Sequence, residues 1–507
     1  MKKNNLQLQG WLYWPFFSAL LIGLSRLPLH TGFLVFGGVI PQFKLFELQP
    51  RKWRLVGSAA IFSVTYTLTA LHWVGLVTLP GLFGMMLLFT VYYYILFGVM
   101  QQVWHQVPRL RFLFVPLAWI SFEYLQTLGE FRFPWFNLGY SLVEYLSLIQ
   151  LADIGGVYLL SGCVIAMSCV VYSLRKRIVT AGIAIVCILT LWMGYGYLRI
   201  YTLPTTTTDD MVAVAQGCIE QERKWDEDYK DTQLNIYRDL TRHAAEEGAK
   251  LVVWPESAVP EYVMRRARYR HYLTNQTSRL GIDIFTGFPH YEHAAQPSPS
   301  RYLFYNSCTR VDSLGTFYPL YYKNILVPVG ERMPLMDTFP FLWNLHLGQA
   351  NFEYGDSLQF YQFGAYRYSP QICFEVAFPS HTQRMAAQGV DFVLNLTNDA
   401  WFHRSVGTYQ HAMMAKIRAV EIRRQIYRAA NTGISLIVDP VGRIQKKTAL
   451  FERTTLMHPV ILCPINSFFT KSGYKLPLAC VAVAGMIWLM AVGKILKKKR
   501  GVEKKNG

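Results

Sequence analysis

A cysteine, a lysine and three glutamates stand where strand-like runs give way to turns, and together they are the residue types an acyl-transfer site needs. In Ser369-Pro-Gln-Ile-Cys-Phe-Glu-Val-Ala-Phe-Pro379 a short apolar run delivers the thiol of Cys373 to a proline-bounded turn, making it the candidate nucleophile. A thiol with an ordinary pKa of about 8.5 is mostly protonated at neutral pH, so it needs a base. Lys250-Leu-Val-Val-Trp-Pro-Glu256 supplies one: Pro255 stops an apolar strand and leaves Glu256 at its carboxyl end, where α/β sheets present functional groups. Tyr321-Tyr-Lys-Asn-Ile-Leu-Val-Pro-Val-Gly-Glu-Arg-Met-Pro334 supplies a cation for an oxyanion, Lys323, and then a Pro/Gly-punctuated loop carrying Glu331. Taken singly, a cysteine is more often a buried apolar group and a Glu or Lys a solvated one. The information lies in three of them recurring in order at strand ends.

The order Glu256, Lys323, Cys373 resembles the Glu-Lys-Cys triad of the nitrilase superfamily. Cys373-Phe-Glu375, the strand Val390-Asp-Phe-Val-Leu-Asn-Leu-Thr-Asn-Asp-Ala-Trp-Phe402, Tyr409-Gln-His-Ala-Met-Met-Ala-Lys-Ile-Arg-Ala-Val-Glu421, Arg428-Ala-Ala-Asn-Thr-Gly433 and Asp439-Pro-Val-Gly-Arg443 resemble its membrane-bound branch, the apolipoprotein N-acyltransferases. Two runs depart from that pattern. His403 stands where a glycine is usual, and Gln216-Gly-Cys-Ile-Glu-Gln-Glu-Arg-Lys-Trp225 carries a cysteine and an extra acidic residue. Both bear on acceptor preference and loop conformation rather than on the triad.

Composition agrees with a chain partly in membrane. Of 507 residues 52% are hydrophobic and only 16% charged, yet the mean hydropathy is only +0.18, as expected of an apolar part joined to a soluble part. Stretches near 10–29, 31–48, 55–77, 80–103, 112–128, 154–173, 178–200 and 476–495 read as about eight transmembrane helices. The second, glycine-rich and interrupted by Pro41 and Lys44, is the weakest. Lys2 and Lys3, Arg51-Lys-Trp-Arg54, Arg109 with Arg111, Arg175-Lys-Arg177 and Lys497-Lys-Lys-Arg500 recur after every second span. By the positive-inside rule both termini are cytoplasmic and the triad domain lies on the outer, periplasmic side of the bacterial inner membrane. The net charge of +18 therefore implies a membrane surface, with no nucleic-acid partner. Eight scattered cysteines without C-x-x-C spacing indicate neither a disulfide framework nor a zinc site, and no cofactor motif occurs. The outer segment Gly129–Tyr140 is aromatic and is expected to anchor at the interface.

The expected organisation is a transmembrane bundle over 1–203, an α/β catalytic domain over 204–474, and a last span with a basic tail over 475–507. After a polar linker, Thr205–Asp210, strands and amphipathic helices alternate: strands at 211–215, 250–254, 282–287, 302–311, 316–323, before Cys373, and at 391–396, 426–430 and 434–438, with helices at 226–247, 261–279, 380–388 and 407–424. The resemblance implies a nitrilase-like α-β-β-α sandwich. It also implies that the acyl donor is a glycerophospholipid and that the acceptor is the α-amino group of an S-diacylglyceryl-cysteine apolipoprotein. Glu256 would serve as base, Lys323 as oxyanion cation, and Glu331 and Glu375 as supporting carboxylates. Pro334–Trp343, apolar and aromatic, is the candidate lid. A triad of this type also permits hydrolysis, so a membrane-anchored nitrilase-like amidase is the alternative. A transporter with an inactive domain is a third reading, weakened because charges within the spans look isolated, as at Glu123.

Overall fold

The computed structural model describes residues 2–294, 301–344 and 350–506, which divide between two compact units: residues 1–128, 134–201 and 472–507 form one, and 129–133 with 202–471 the other. Residues 129–133 fall in the second unit although the chain on either side of them belongs to the first.

The first unit is helical. Leu79–Gln106, Ala152–Ser173, Ile178–Thr202 and Lys475–Arg500 are, among the described residues, the four helices long and apolar enough to cross a membrane unaided. Of the other expected spans, Lys2–Leu24 and Lys52–Ala70 are continuous helices, whereas two are shorter or broken. Arg111–Leu125 is one helix of about 22 Å. The segment 31–48 is broken into a 3-10 turn and the helices Val35–Gly38 and Ile40–Leu48. Packing still shows its direction: a Cβ on Gly38 would meet Ile22, and one on Gly10 would meet Leu48, so the broken segment runs back along Lys2–Leu24. The helix Lys52–Ala70 then runs parallel to the first, with the Ser58 hydroxyl donating to Trp11 O at 2.8 Å. The expected isolation of charges also needs correction, since Arg199 pairs with Asp153 at 2.9 Å.

The aromatic segment after residue 128 is not an exposed anchor. Trp135 and Phe136 are buried in the helical unit. Arg26 donates to Trp135 O and Asn137 O at 3.1 Å each, and the Leu138 N–H donates to the Glu123 carboxylate at 2.8 Å. These side chains serve a buried stretch of non-helical backbone, a condition tolerated among membrane spans only when protein satisfies its polar groups. Residues 129–133 pack instead within the other unit, where Phe133 stacks on Phe374 and the Glu130 carboxylate accepts from Leu335 N at 2.7 Å.

The second unit is a two-sheet sandwich. Its strands are β1 Thr206–Gln216, β2 Ala249–Val253, β3 Asp283–His293, β4 Tyr302–Val311, β5 Tyr321–Tyr322, β6 Tyr361–Phe363, β7 Tyr366–Ile372, β8 Phe392–Thr397, β9 Gln425–Ala430, β10 Leu436–Val438, β11 Ile444–Lys447 and β12 Thr454–Leu462. One sheet has the order β12-β1-β2-β3-β4-β5, the other β11-β10-β9-β8-β7-β6. Alternate residues face inward, so Val212, Val214, Leu251 and Val253 meet Tyr368, Leu394 and Tyr427 in a dry core between the sheets. Opposite faces carry helices: Leu234, Tyr237 and Leu273 of Lys230–Glu246 and Ala267–Leu280 pack on the first sheet, while Pro379–Ala387 and Val406–Ile422 belong to the second half of the chain. β1-β2-β3 and β7-β8-β9 are parallel, which sends the ends of β2, β7 and β8 to chemistry-bearing turns.

The expected strands do not include β6, β11 or β12, and β1 and β5 differ in extent. β1 begins at Thr206 because pairing with β12 recruits the polar threonines, whose branched Cβ suits a strand. β12 interrupts its apolar pattern with His458 and Pro459, and an edge strand tolerates the missing N–H of a proline. The expected strand 316–323 is reduced to two paired residues, β5.

His403, where the resemblance leads one to expect a glycine, has φ +48° and ψ −148°, a region natural only for glycine, and its side chain is exposed. His403→Gly should therefore stabilise the fold by about 1 kcal/mol, strain relief outweighing glycine's greater unfolded entropy. Thermal unfolding of the purified protein measures this; an unchanged or lower midpoint contradicts it.

Candidate active site

The site is built at the ends of β2, β5 and β7. After β2 the Trp254 N–H still donates to Phe285 O at 2.8 Å, and Pro255 then ends the strand pattern. Glu256 follows, and Ser257 turns the chain with φ +48°. The neighbouring β3 comes so close that only glycine fits: a Cβ on Gly287 would lie 2.8 Å from Ser257 N and 3.1 Å from Glu256 Cα. The Glu256 carboxylate is nearly fully buried and spoken for on both oxygens. Oε1 accepts from Asn306 Nδ2 at 2.7 Å and faces Lys323 Nζ at 3.4 Å, while Oε2 accepts from the Asn398 N–H at 2.9 Å.

Lys323 follows β5 directly, its N–H bonded to Asn306 O at 2.9 Å. Its ammonium is 1% exposed and donates to Glu331 Oε1 at 2.8 Å. Asn306 Nδ2 reaches the same Glu331 oxygen at 3.1 Å, and Glu331 Oε2 accepts from Val327 N at 2.9 Å. Burial works against the lysine's charge, but Glu331 and Glu256 outweigh it and hold Lys323 above its ordinary pKa. The cation is thus present at any physiological pH.

Cys373 begins a 3-10 turn immediately after β7 with φ +50°, a conformation a non-glycine residue holds only when its surroundings impose it. Two supports do so. Glu375, fully buried, accepts from the N–H groups of Ile372, Asn324 and Ile325 at 2.6, 2.6 and 3.1 Å, riveting the Cys373 turn to the chain just after Lys323. Burial would raise its pKa, but His381 and these donors outweigh that and hold Glu375 low. On the other side His411 Nε2 lies 3.2 Å from Cys373 O, and its Nδ1 lies 2.8 Å from Asp399, which Arg428 binds at 2.7 Å.

Burial pushes the Cys373 thiol well up, Glu256 adds to this, and Lys323 opposes it. The resting group is therefore a thiol. Cys308 is also raised by burial, but lies wholly inside the core.

Glu256, Lys323 and Glu331 thus share one hydrogen-bonded cluster beside Cys373, and Glu375 supports the turn from behind. Asn306, Lys224 and the His411-Asp399-Arg428 set were not singled out from sequence. Asn398, Asp399, His411 and Arg428 did lie in motifs quoted there, whereas Asn306, mid-strand in β4, carried no local signal. Cys218, the unusual cysteine of its run, occupies a positive-φ position, its N–H bonded to Asn431 O at 3.0 Å.

Two facing sheets with a buried glutamate, a buried lysine and a half-buried cysteine at their strand ends are the layout of a carbon-nitrogen hydrolase domain, and residues 211–462 match the model of that family, carbon-nitrogen hydrolase. Residues 18–170 match the apolipoprotein N-acyltransferase N-terminal domain. A protein of Geobacter metallireducens named apolipoprotein N-acyltransferase is 33% identical over 74% of this chain and 73% of its own. One of Pseudomonas aeruginosa with the same name is 29% identical over 98% and 95%. An amidase from Nesterenkonia sp. aligns with 53% of this chain and 95% of its own at 18% identity and a TM-score of 0.39, too low to add weight. The chain belongs to the apolipoprotein N-acyltransferase family.

Gly287→Ala should displace the Glu256 turn by a few tenths of an ångström while leaving the sandwich folded. Activity is expected to fall about tenfold or more, because a base works only within hydrogen-bond reach of its proton. Specific activity alongside thermal unfolding checks this; full activity would show that the turn yields freely.

Proposed function

We propose that this protein transfers a fatty acyl group from a membrane glycerophospholipid, through a thioester on Cys373, to the N-terminal amine of S-diacylglyceryl-cysteine in apolipoproteins. The observation that carries the reading is the buried Glu256-Lys323-Glu331 cluster, bridged by Asn306, next to a cysteine held at positive φ. As Cys373 Sγ attacks the ester carbonyl, Glu256 takes the thiol proton and Lys323 faces the oxyanion that forms. Collapse expels the lysophospholipid alkoxide, which takes the proton back from Glu256. In the second half-reaction the acceptor ammonium loses a proton to Glu256 and its nitrogen attacks the thioester; as the C–S bond breaks, Glu256 returns that proton to the departing sulfur, and the nitrogen's remaining extra proton is released to solvent, leaving the amide. Glu331 orients Lys323, and Glu375 holds the nucleophile's turn.

The protein is a bacterial inner-membrane enzyme with a lipid donor and a lipoprotein acceptor. In this reading residues 1–203 and 475–507 embed the chain, 204–474 carry the chemistry on the periplasmic side, and both termini are cytoplasmic. On the candidate lid, Phe339 and Phe341 are exposed, while Arg332 pins its base through Asp337 and Glu353 at 2.7 and 2.9 Å. Exposed aromatic rings on an anchored loop suit contact with acyl chains.

Protein supplied with phospholipid but no acceptor should gain the mass of one acyl chain on Cys373, removable by alkaline hydroxylamine. Cys373→Ala and Cys373→Ser should abolish the adduct, since a serine hydroxyl is far too weak an acid for a carboxylate base. A diacylglyceryl-cysteine peptide with a free amine should discharge the adduct, and one with a blocked amine should not. Rapid discharge to water without acceptor would favour the amidase reading instead. For orientation, an impermeant thiol reagent applied to intact cells should label a cysteine placed at Asp209 and spare one at Lys176. The reverse pattern inverts the topology.

A further inference from the structure

A second buried ammonium reaches the site from a segment outside the triad. Lys224 lies in the turn 221–225 between β1 and the helix Lys230–Glu246, a turn secured to the second sheet: the Cys218 and Ile219 N–H groups donate to Asn431, and Gln221 Oε1 accepts from Asn398 Nδ2 at 2.8 Å. Neighbouring Glu220, Glu222, Arg223, Trp225 and Asp226 are exposed, whereas Lys224 turns inward and is 2% exposed. Its Nζ donates to the backbone carbonyl of Glu256 at 3.0 Å. The titratable groups acting on it are Glu256, from the turn after β2, and Cys373, from the turn after β7.

Charge balance gives this placement a function. Glu256 and Glu331 are two carboxylates facing one ammonium, Lys323, at 3.4 and 2.8 Å. Asp399 is matched by Arg428, and Glu375 is committed to Tyr321 and three backbone N–H groups. With Lys323 alone the cluster beside Cys373 carries a net negative charge, which opposes any further anion in so dry a place. We propose that Lys224 is a charge-setting residue of the acyl-transfer site, the second cation that offsets Glu331 and favours the Cys373 thiolate, acting through Glu256 and Cys373 without touching the substrate. Its burial bears on the pH range of this effect: desolvation, partly offset by Glu256 and Cys373, brings Lys224 down to about 8. The cation is present below that pH and is lost above it.

The proposal rests on Cys373 as nucleophile, and the test separates the two. Iodoacetamide alkylation of Cys373 is followed by peptide mass in the full-length detergent-solubilised protein, for wild type, Lys224→Gln and Lys224→Arg, from pH 6 to 10. Glutamine keeps a hydrogen-bond donor without the charge; arginine keeps the charge at every pH. At pH 7 the Gln variant should react about tenfold more slowly, the effect of about one pKa unit on the thiol. The gap to wild type should close as the pH passes about 8, and the Arg variant should outpace Gln throughout. Acyl loading from phospholipid should follow the same order. A Gln variant as fast as wild type, a pH-independent deficit, or equal deficits in Gln and Arg would overturn the proposal in favour of a tether. Failure of wild-type Cys373 to load acyl would instead remove the nucleophile assignment, whatever the variants do in alkylation.

Discussion

The fully buried ammonium of Lys323 constrains everything around it. An unpaired ion in such surroundings costs several kcal/mol, so the fold must bring carboxylates to it, and it brings two, Glu256 and Glu331. Two carboxylates so close repel each other and need shared donors, which explains the side-chain amide of Asn306 between them and the backbone N–H of Asn398 on the far oxygen. The arrangement places the proposed base, Glu256, and the proposed oxyanion cation, Lys323, side by side at 3.4 Å. It also leaves the cysteine protonated at rest, and in the proposed reaction charge develops on it only as it attacks a carbonyl.

Holding these groups in register requires backbone that would not adopt its conformation unaided. Cys373, the proposed nucleophile, and Ser257, next to the proposed base Glu256, both have positive φ. Strain of this kind persists only where the surroundings over-determine it. Glu375 supplies one restraint by collecting backbone N–H groups from both the Cys373 turn and the segment after Lys323. His411, braced by Asp399 and Arg428, supplies another by facing the Cys373 carbonyl. Both restraints are charged and buried, so removing a single partner would leave the others unsatisfied, and such sets are costly to alter piecemeal.

The helical unit solves a related problem with the same means. Its helices satisfy their own backbone groups except where the chain leaves helical geometry, and there Arg26 and Glu123 reach the buried carbonyls and N–H of residues 135–138. A charged residue inside a span is thus explained by irregular backbone rather than by a transport path.

Local chemistry was readable from the chain wherever one short segment carried both the strand and its terminating turn. Pro255 before Glu256, the aromatic pair before Lys323 and the apolar run before Cys373 announce strand ends, and ordered recurrence of those residue types identified the family before any coordinates. Hydropathy likewise marked the apolar spans, because burial in lipid demands length and composition that nothing else in a chain requires. What the sequence could not contain was partnership across distance. Asn306 in the middle of β4, Lys224 in a surface turn otherwise full of exposed charges, and His411 inside a buried helix acquire their meaning only when β2, β5, β7 and β8 converge. The broken passage at 31–48 and the burial of Trp135 were decided the same way, by neighbours far along the chain. Propensity and periodicity act over a few residues, whereas the desolvation of a charge is resolved by whichever groups the tertiary fold brings within about 3 Å.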